Sequence, residues 1–470
     1  MSEREAIDTE SKSTGIAPES AGPGCEREAR PTPGDGEGRG RTDGRVDDRA
    51  SVRDLLAIHD FRLLWLGQII SNFGDAVTGL ATLFLVNELT GGDTTAIAAV
   101  AIAQAIPRMT IGLVAGVYVD RLDRKAIMIA SDLIRALLVL GLVFVDSTDD
   151  LWLLFGLLFL VSTAGSFFMP ARTAYIPLVV PSKGLLAANS LSQSSFVIAG
   201  VLGAAFAGWS VGTFGSYWQA FVADSLTFLA SAALLSRVVT VSVGSADGDS
   251  SARAVLNEML NGFRVLASSR ILMGVLASMA VAMLGLGMVN VLIVPLVVND
   301  LQVRETWFAV LQLAQSVSMV LSGALVAVLA ARFKSTRIAS VCLFCVGVAV
   351  ALVAGVSSVA GLIVVLFAVG WFMTPLQASL MTLLQNNVVD AMRGRAGAAL
   401  SMAAQTASVV SMAGAGVLSD AIGPRNVFLL GGAITAAAGV LSAVIFHGQD
   451  EMPQSAGPGG EIPRQRPAAE

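Results

Sequence analysis

The segment Gly112–Lys125 reads Gly-Leu-Val-Ala-Gly-Val-Tyr-Val-Asp-Arg-Leu-Asp-Arg-Lys and carries five charged residues in its last six positions. Long apolar runs precede and follow it. Charges grouped in this way are costly within a bilayer unless they face water or pair with one another. The segment therefore predicts a tight, solvated turn between two membrane-spanning helices.

The composition places the whole chain among membrane proteins with many spans. Of its 470 residues, 54% are hydrophobic and 14% are charged, and the mean hydropathy is +0.71. Soluble domains carry about 25% charged residues. We therefore expect a multi-pass protein of the cell membrane, in contact with the lipid bilayer over most of its length.

Twelve apolar runs are long enough to cross a bilayer, which needs about 20 residues for each helix. The runs are continuous and do not alternate with polar residues, so they predict helices and not the strands of a barrel. The predicted spans are 62–88, 95–119, 126–146, 151–170, 187–210, 216–236, 271–298, 305–331, 336–356, 359–384, 396–418 and 424–446.

The basic residues of the connections alternate from one side of the predicted membrane to the other. One side has only Arg304 and Arg425, and the positive-inside rule makes the other, more basic side cytoplasmic. An even number of spans then puts both termini in the cytoplasm. The predicted organisation is a disordered tail over 1–50, a six-helix bundle with a preceding surface-lying amphipathic segment over 51–236, a linker over 237–270, a second six-helix bundle over 271–446 and a disordered tail over 447–470.

The two predicted bundles repeat one sequence pattern. Gly323 begins Gly-Ala-Leu-Val-Ala-Val-Leu-Ala-Ala-Arg-Phe-Lys, 211 residues after Gly112. Ala331 stands where the first copy has Asp120, so only the first copy has the complete set of charges. Two similar halves of six spans are typical of transporters that work by alternating access.

Three motifs together resemble the major facilitator superfamily. The first is Gly116-x-x-x-Asp-Arg-x-x-Arg-Lys125, which is similar to the loop between the second and third helices of that superfamily. Phe61-Arg-Leu-Leu-Trp-Leu-Gly-Gln-x-x-Ser-Asn-x-Gly-Asp75 and Pro170-Ala-Arg-x-Ala-x-Ile-Pro177 resemble its drug:proton antiporter branch, which includes macrolide, tetracycline and siderophore exporters. The resemblance implies an all-α fold of two pseudo-symmetric six-helix bundles. It also implies proton-driven efflux of small amphipathic compounds.

The resemblance further implies a conformational latch, in which the loop charges hold one state of the transporter and separate in the other. A contact made in only one state biases the equilibrium towards that state. The alternative is that the cations only anchor the loop in the cytoplasm. The predicted latch residues are Gly116, Asp120, Arg121, Arg124, Lys125, Asp132 and Arg135.

Three charged residues fall within predicted spans and are candidates for proton coupling. Asp75 and Arg108 lie at similar depth on neighbouring antiparallel helices, so we predict that they pair. The alternatives are a static structural ion pair, or side chains that never meet. Asp224, in the sixth span, is either a second protonation site or a hydrogen-bonded structural acid.

Polar residues within the spans are candidates for lining a central cavity, with hydrogen bonding between helices as the alternative for each. They are Gln68, Asn72, Gln104, Gln193, Asn290, Gln312, Gln315, Gln377 and Gln405.

Other functions are disfavoured by the sequence. It contains no Gly-x-x-x-x-Gly-Lys-Ser/Thr loop for ATP, and with two histidines it has no metal-spaced His/Cys set. We expect no enzyme, no cofactor, no metal and no nucleic-acid partner, but a monomer that binds a small molecule and protons. Uptake or symport of a metabolite is the alternative on the same fold, and a non-transporting membrane receptor or accessory protein is the alternative from another class.

Overall fold

The computed structural model describes residues 52–119, 122–239 and 252–447 of the chain, and this part is built from helices and short connections. Both predicted tails and part of the linker lie outside these residues. The helices are α1 Val52–Ala57, α2 His59–Leu89, α3 Thr94–Val119, α4 Arg124–Gly141, α5 Leu151–Val179, α6 Leu185–Phe214, α7 Trp218–Ser236, α8 Ala252–Ala267, α9 Arg270–Pro295, α10 Trp307–Arg332, α11 Ser335–Val353, α12 Val359–Asn387, α13 Asp390–Ile422 and α14 Pro424–Phe446.

Twelve of these helices, α2–α7 and α9–α14, are long and apolar enough to cross a membrane, which confirms the predicted number of spans. The largest error in their bounds concerns α5, which continues nine residues beyond the predicted end at Pro170. Pro170 and Pro177 both lie inside this helix. A helix in lipid tolerates proline because breaking the helix would leave more backbone groups without hydrogen bonds.

The two groups of six spans pack in the same pattern. In each group the first span packs against the fifth and sixth, the fourth against the second and third, and the third against the sixth. Small residues allow the closest of these contacts, between α11 and α14. A Cβ atom on Gly347 would overlap the backbone of Ala436, and one on Gly439 would overlap that of Phe344. The packing therefore repeats the internal symmetry predicted from the sequence.

The membrane-spanning part has two ends, which we name by the position of the chain termini. The terminal face holds the start of α2, the linker and the end of α14, and the opposite face holds the other helix ends. Between the two halves, α3 packs against α13 and α6 against α10. The hydrogen bonds between these halves, within the described ranges, all lie near the opposite face. The two halves are thus joined at one end of the molecule.

Two segments near the terminal face form helices that pack against the spans. The linker contains a helix, α8, which packs against α13 so closely that a Cβ on Gly262 would overlap the carbonyl of Arg395. The segment before the first span forms α1, and Leu55 is fully buried among Phe61, Tyr175 and other apolar side chains. Leu55 therefore packs against the end of the bundle, and the position of this segment on the membrane surface stays a prediction.

Candidate functional site

A cavity of about 690 Å³ lies within the membrane-spanning part and is large enough for a drug-sized molecule. All six spans of the first half contribute to its wall, and α13 is the one span of the second half that does so among the described residues. The wall extends from the middle of α2 towards the terminal face, where Met169 and Arg172 of α5 belong to it. The cavity therefore lies on the side away from the contacts that join the two halves.

Arg135 of α4 lies in the wall of this cavity and is shared between two carboxyl groups. Its guanidinium forms an ion pair with Asp132, one turn earlier in α4, and its Nη1 lies 3.5 Å from Oδ2 of Asp75 on α2. The side chain of Asp132 is 0% exposed and that of Arg135 is 7% exposed, whereas that of Asp75 is 47% exposed. One buried cation thus connects a buried carboxyl with one that faces the cavity.

Two phenylalanine rings hold the Arg135 guanidinium in place. Its Cζ lies 4.2 Å from the ring centroid of Phe228 on α7 and 5.1 Å from that of Phe168 on α5. Both rings are buried. A cation against the face of a desolvated aromatic ring is stabilised by about 2 kcal/mol. Arg135 of α4 therefore contacts both α5 and α7, and three helices together set the position of its guanidinium group.

Asp224 of α7 is a second buried carboxyl beside this group. Its Oδ1 accepts a hydrogen bond of 3.0 Å from the hydroxyl of Thr227. Its Oδ2 is buried and has no hydrogen-bond partner among the described residues. A Cβ on Gly74 would overlap the Asp224 carboxyl, so the residue before Asp75 must be small for α2 to approach α7. The fold thus places two carboxyl groups on adjoining helices at the cavity wall.

The predicted pairing of Asp75 with Arg108 is wrong in this structure. Asp75 pairs with Arg135, which the sequence analysis had assigned to the latch. Arg135 lies 11 residues into α4, about 16 Å from its start. Arg108 lines the same cavity but forms no ion pair with a described residue. Similar depth did not predict the partner, because depth does not tell which way a side chain points from its helix.

The predicted latch is only partly described. Asp120 and Arg121 lie outside the described residues, and of Gly116 only the helical backbone is described. Arg124 donates a hydrogen bond of 3.1 Å to the carbonyl of Ala174, and Lys125 donates bonds of 2.9 and 2.6 Å to those of Ser236 and Val238. Both cations therefore bind carbonyls at the ends of α5 and α7 in their own half, where the negative ends of the helix dipoles favour positive charge.

Four of the nine polar candidates line the cavity, namely Gln68, Asn72, Gln104 and Gln405. The wall does not include the other five, which are Gln193, Asn290, Gln312, Gln315 and Gln377.

Three residues of the site were not predicted to belong to it, namely Phe168, Phe228 and Arg172. Arg172 lies beyond Pro170, the predicted end of the fourth span, and therefore falls in a predicted connection, whereas the structure continues α5 to Val179. The sequence does contain one indication that Phe228 lies at the site, because Phe228 stands four residues after Asp224 on the same face of a helix.

Comparison with known proteins gives relatives that are named as transporters, exporters or efflux proteins. The profile of the transmembrane secretion effector family matches residues 52–456. An uncharacterised MFS-type transporter of Bacillus subtilis, YfiS, is 26% identical over 396 residues, which are 81% of this chain and 92% of that protein. Macrolide efflux protein A of Streptococcus pyogenes is 35% identical over 136 residues, which are 28% of this chain and 33% of that protein. The putative bacilysin exporter BacE of Bacillus subtilis is 32% identical over 183 residues, or 38% of this chain and 43% of that protein.

Solved structures show the same fold at low sequence identity. The nucleoside transporter NupG has a TM-score of 0.67 and 14% identity over 83% of this chain and 99% of its own. A bacterial homologue of the iron transporter ferroportin has a TM-score of 0.66 and 15% identity over 83% of this chain and 98% of its own. At this identity the likeness concerns the fold alone.

Proposed function

Because the chain belongs to the transmembrane secretion effector family of the major facilitator superfamily, we propose that it exports small amphipathic compounds in exchange for protons. The family makes it a secondary transporter with a small-molecule substrate. Export is favoured by the names of two relatives, a macrolide efflux protein and a putative bacilysin exporter. The cycle would be alternating access, with the terminal face on the cytoplasmic side as the positive-inside rule predicts.

The observation that carries the proposal is the sharing of Arg135 between Asp132 and Asp75. When Asp75 is ionised, the group of three has one more negative than positive charge. When Asp75 takes up a proton, Arg135 keeps Asp132 as its counter-ion, so no buried charge is left unpaired. Asp75 faces the cavity, from which a proton can reach it, whereas Asp132 is fully buried. These are the properties that a coupling carboxyl needs.

In the proposed cycle the contacts near the opposite face are closed, and substrate enters the cavity from the terminal face. Opening of the opposite face exposes Asp75 to the more acidic outside, where it is protonated and the substrate leaves. Return to the present state lets the proton depart towards the terminal face, and Asp75 pairs with Arg135 again. Asp224 is the second candidate for carrying a proton, and the latch of Asp120 and its neighbouring cations stays a prediction.

Flux measurements in proteoliposomes test this function. A pH gradient is imposed across vesicles that contain the full chain, a panel of amphipathic dyes is offered, and a dye in the lumen reports proton movement. We expect dye and protons to move in opposite directions. We expect Asp75→Asn to insert into the membrane normally and to lose at least about 90% of the pH-driven flux, because it removes the group that titrates. Asp149→Asn, on the opposite face and outside the cavity, is the matched control.

Two results would contradict the proposal. Coupled flux at the parental rate in Asp75→Asn would remove Asp75 from the mechanism. Movement of dye and protons in the same direction would favour symport, the alternative that the fold also allows.

A further inference from the structure

Two arginine side chains in the wall of the cavity form no ion pair with any residue that the structure describes. Arg108 of α3 is exposed there and forms neither a hydrogen bond nor an ion pair through its side chain with any described residue. Arg172 of α5 is half-buried, and its Nε is buried without a hydrogen-bond partner in the described part of the chain. Neither arginine takes part in the Asp75–Arg135–Asp132 group that the proposed transport cycle uses.

The two arginines lie on neighbouring helices and at similar depth. The helices α3 and α5 pack against each other along the first half. Arg108 lies 11 residues before Val119, the last residue of α3, and Arg172 lies seven residues before Val179, the last of α5. At 1.5 Å per residue these positions are about 16 and 10 Å from the helix ends at the terminal face. The difference is about one helical turn, and both side chains belong to the wall of the same cavity.

The carboxyl groups of the cavity form no ion pair with these two arginines. Asp75 is paired with Arg135, and the Asp224 side chain is almost completely buried against α2. A charged side chain within a membrane-spanning segment is costly, and such residues generally face a cavity and mark a substrate pathway. Two guanidinium groups with no ion-pair partner among the described residues therefore suit an anionic group on a bound molecule.

The rest of the wall suits the apolar part of such a molecule. Met109 lies next to Arg108 in the sequence, Met169 lies one turn before Arg172, and Phe196 and Met402 complete the apolar surface. Methionine side chains adapt to ligands of different shape. The guanidinium group is also the side chain best suited to bind carboxylate or phosphate through two parallel hydrogen bonds.

We propose that Arg108 and Arg172 form the binding site for a negatively charged oxygen group, such as a carboxylate, sulfonate or phosphate, on the amphipathic substrate. This inference rests on the proposed transport function and names the chemical class of its substrate. The apolar part of the substrate lies against Met109, Met169, Phe196 and Met402. A cationic amphipath would instead meet two positive charges at the entrance from the terminal face.

Three probes with one fluorophore and different charge test the proposal: dansylglycine is anionic, dansylamide is neutral and dansylcadaverine is cationic. Binding to the purified full chain in detergent is followed by dansyl fluorescence. We expect dansylglycine to bind at least about tenfold more tightly than dansylcadaverine. We expect Arg108→Gln and Arg172→Gln each to weaken dansylglycine binding by about tenfold, as the loss of hydrogen bonds between charged groups does.

Control measurements separate an effect on charge from an effect on folding. Dansylamide should bind to both Gln variants within about twofold of the parent. Arg108→Lys and Arg172→Lys keep the charge but lose the paired hydrogen bonds, so they should bind dansylglycine more tightly than the Gln variants and more weakly than the parent. Arg237→Gln, exposed on the terminal face outside the cavity, should change nothing. Equal or tighter binding of dansylcadaverine would overturn the proposal, as would parental binding of dansylglycine by both Gln variants.

Flux in proteoliposomes distinguishes this proposal from the transport function on which it rests. If dansylglycine binds through both arginines but a pH gradient moves none of the three probes, proton-driven transport is refuted and the anion site stands. If dansylcadaverine is moved by the gradient at the parental rate in both Gln variants, the transport function stands and the anion site is refuted.

Discussion

Arg135 has a role that follows from its neighbours and not from its place in the sequence. It lies within hydrogen-bonding distance of Asp132, one turn away, which any helical plot would show. Its other contacts, to Asp75, Phe168 and Phe228, come from three different helices. Removing one member of a buried ion pair typically costs about 3–5 kcal/mol. The two carboxyl groups and the one guanidinium group therefore hold one another in position.

Glycine at position 203 controls how closely α6 approaches the helix that carries Asp75. A Cβ atom there would lie 2.5 Å from the carbonyl oxygen of Phe73 and 2.7 Å from Cβ of Ala76. We predict that Gly203→Ala destabilises the protein by about 1–3 kcal/mol, because a backbone atom cannot move aside as a side chain can. The measurement is the thermal unfolding midpoint in detergent.

The control for this substitution is one turn away on the same helix. A Cβ on Gly200 would meet nothing within 4 Å, so Gly200→Ala should leave the unfolding midpoint unchanged or slightly raise it. If both substitutions had the same effect, helix propensity and not the contact with α2 would explain the result.

At the scale of helices, the start of α3 and the end of α13 form a contact that closes the opposite face. Asp420 of α13 accepts hydrogen bonds from the hydroxyls of Thr94 and Thr95 at 3.3 and 2.8 Å. Thr94 also donates a bond of 3.2 Å to the carbonyl of Gly416. The carboxylate of Asp420 thus lies at the positive end of the α3 dipole, which adds to the contact. Opening this face must break these bonds.

We therefore predict that Asp420→Ala shifts the equilibrium towards a state open at the opposite face by about tenfold, as expected for about 1–2 kcal/mol of lost hydrogen bonding. A cysteine at Gln405 in the cavity wall, with Cys25, Cys342 and Cys345 replaced by alanine, reports the change. Its labelling by a membrane-impermeant maleimide from the opposite face should become faster.

A neighbouring carboxylate provides the control. Asp93 accepts a hydrogen bond of 2.8 Å from the backbone of Thr95 and so caps α3 within its own half. Asp93→Ala should weaken the helix start without faster labelling. Labelling that rises equally in both variants would mean that fraying of α3, and not release of α13, exposes the cavity.

For the whole molecule, the structure consists of two repeated bundles joined at one end. Near the opposite face, Asn87 and Asn299 exchange two amide hydrogen bonds of 3.2 Å, and the rings of Phe84 and Phe308 meet edge to face at 4.9 Å. The cavity lies on the other side of these contacts. Each bundle is held by packing along whole helices, whereas the bundles meet each other mainly through α3 with α13 and α6 with α10. The bundles should therefore move as units.

This architecture predicts opposite distance changes at the two faces when Asn87→Ala weakens the joint. Spin labels at exposed sites on the terminal face, Leu122 and Phe333, should come closer together, and labels at Asp149 and Ser357 on the opposite face should move apart. Pulsed electron paramagnetic resonance measures both distances. An increase at the opposite face with no change at the terminal face would show a local gate in place of movement of whole bundles.

The sequence alone was enough to predict twelve helices, two similar halves and a transporter fold. These features depend on properties that each segment has by itself, since a run of about 20 apolar residues must form a helix in lipid whatever surrounds it. The charged residues within spans could also be recognised as functional candidates one by one, and Asp75 is the clearest example.

Only the tertiary structure decided which charges meet. The pairing of Asp75 with Arg135, the rings on either side of that arginine and the presence of Arg172 in the cavity all depend on how helices are rotated about their axes and where they end. Nearly every face of these spans is apolar, so the sequence pattern does not fix the rotation, and a proline does not by itself end a helix in lipid. Packing between helices sets the rotation of each span and the position of its end, and therefore decides which side chains line the cavity.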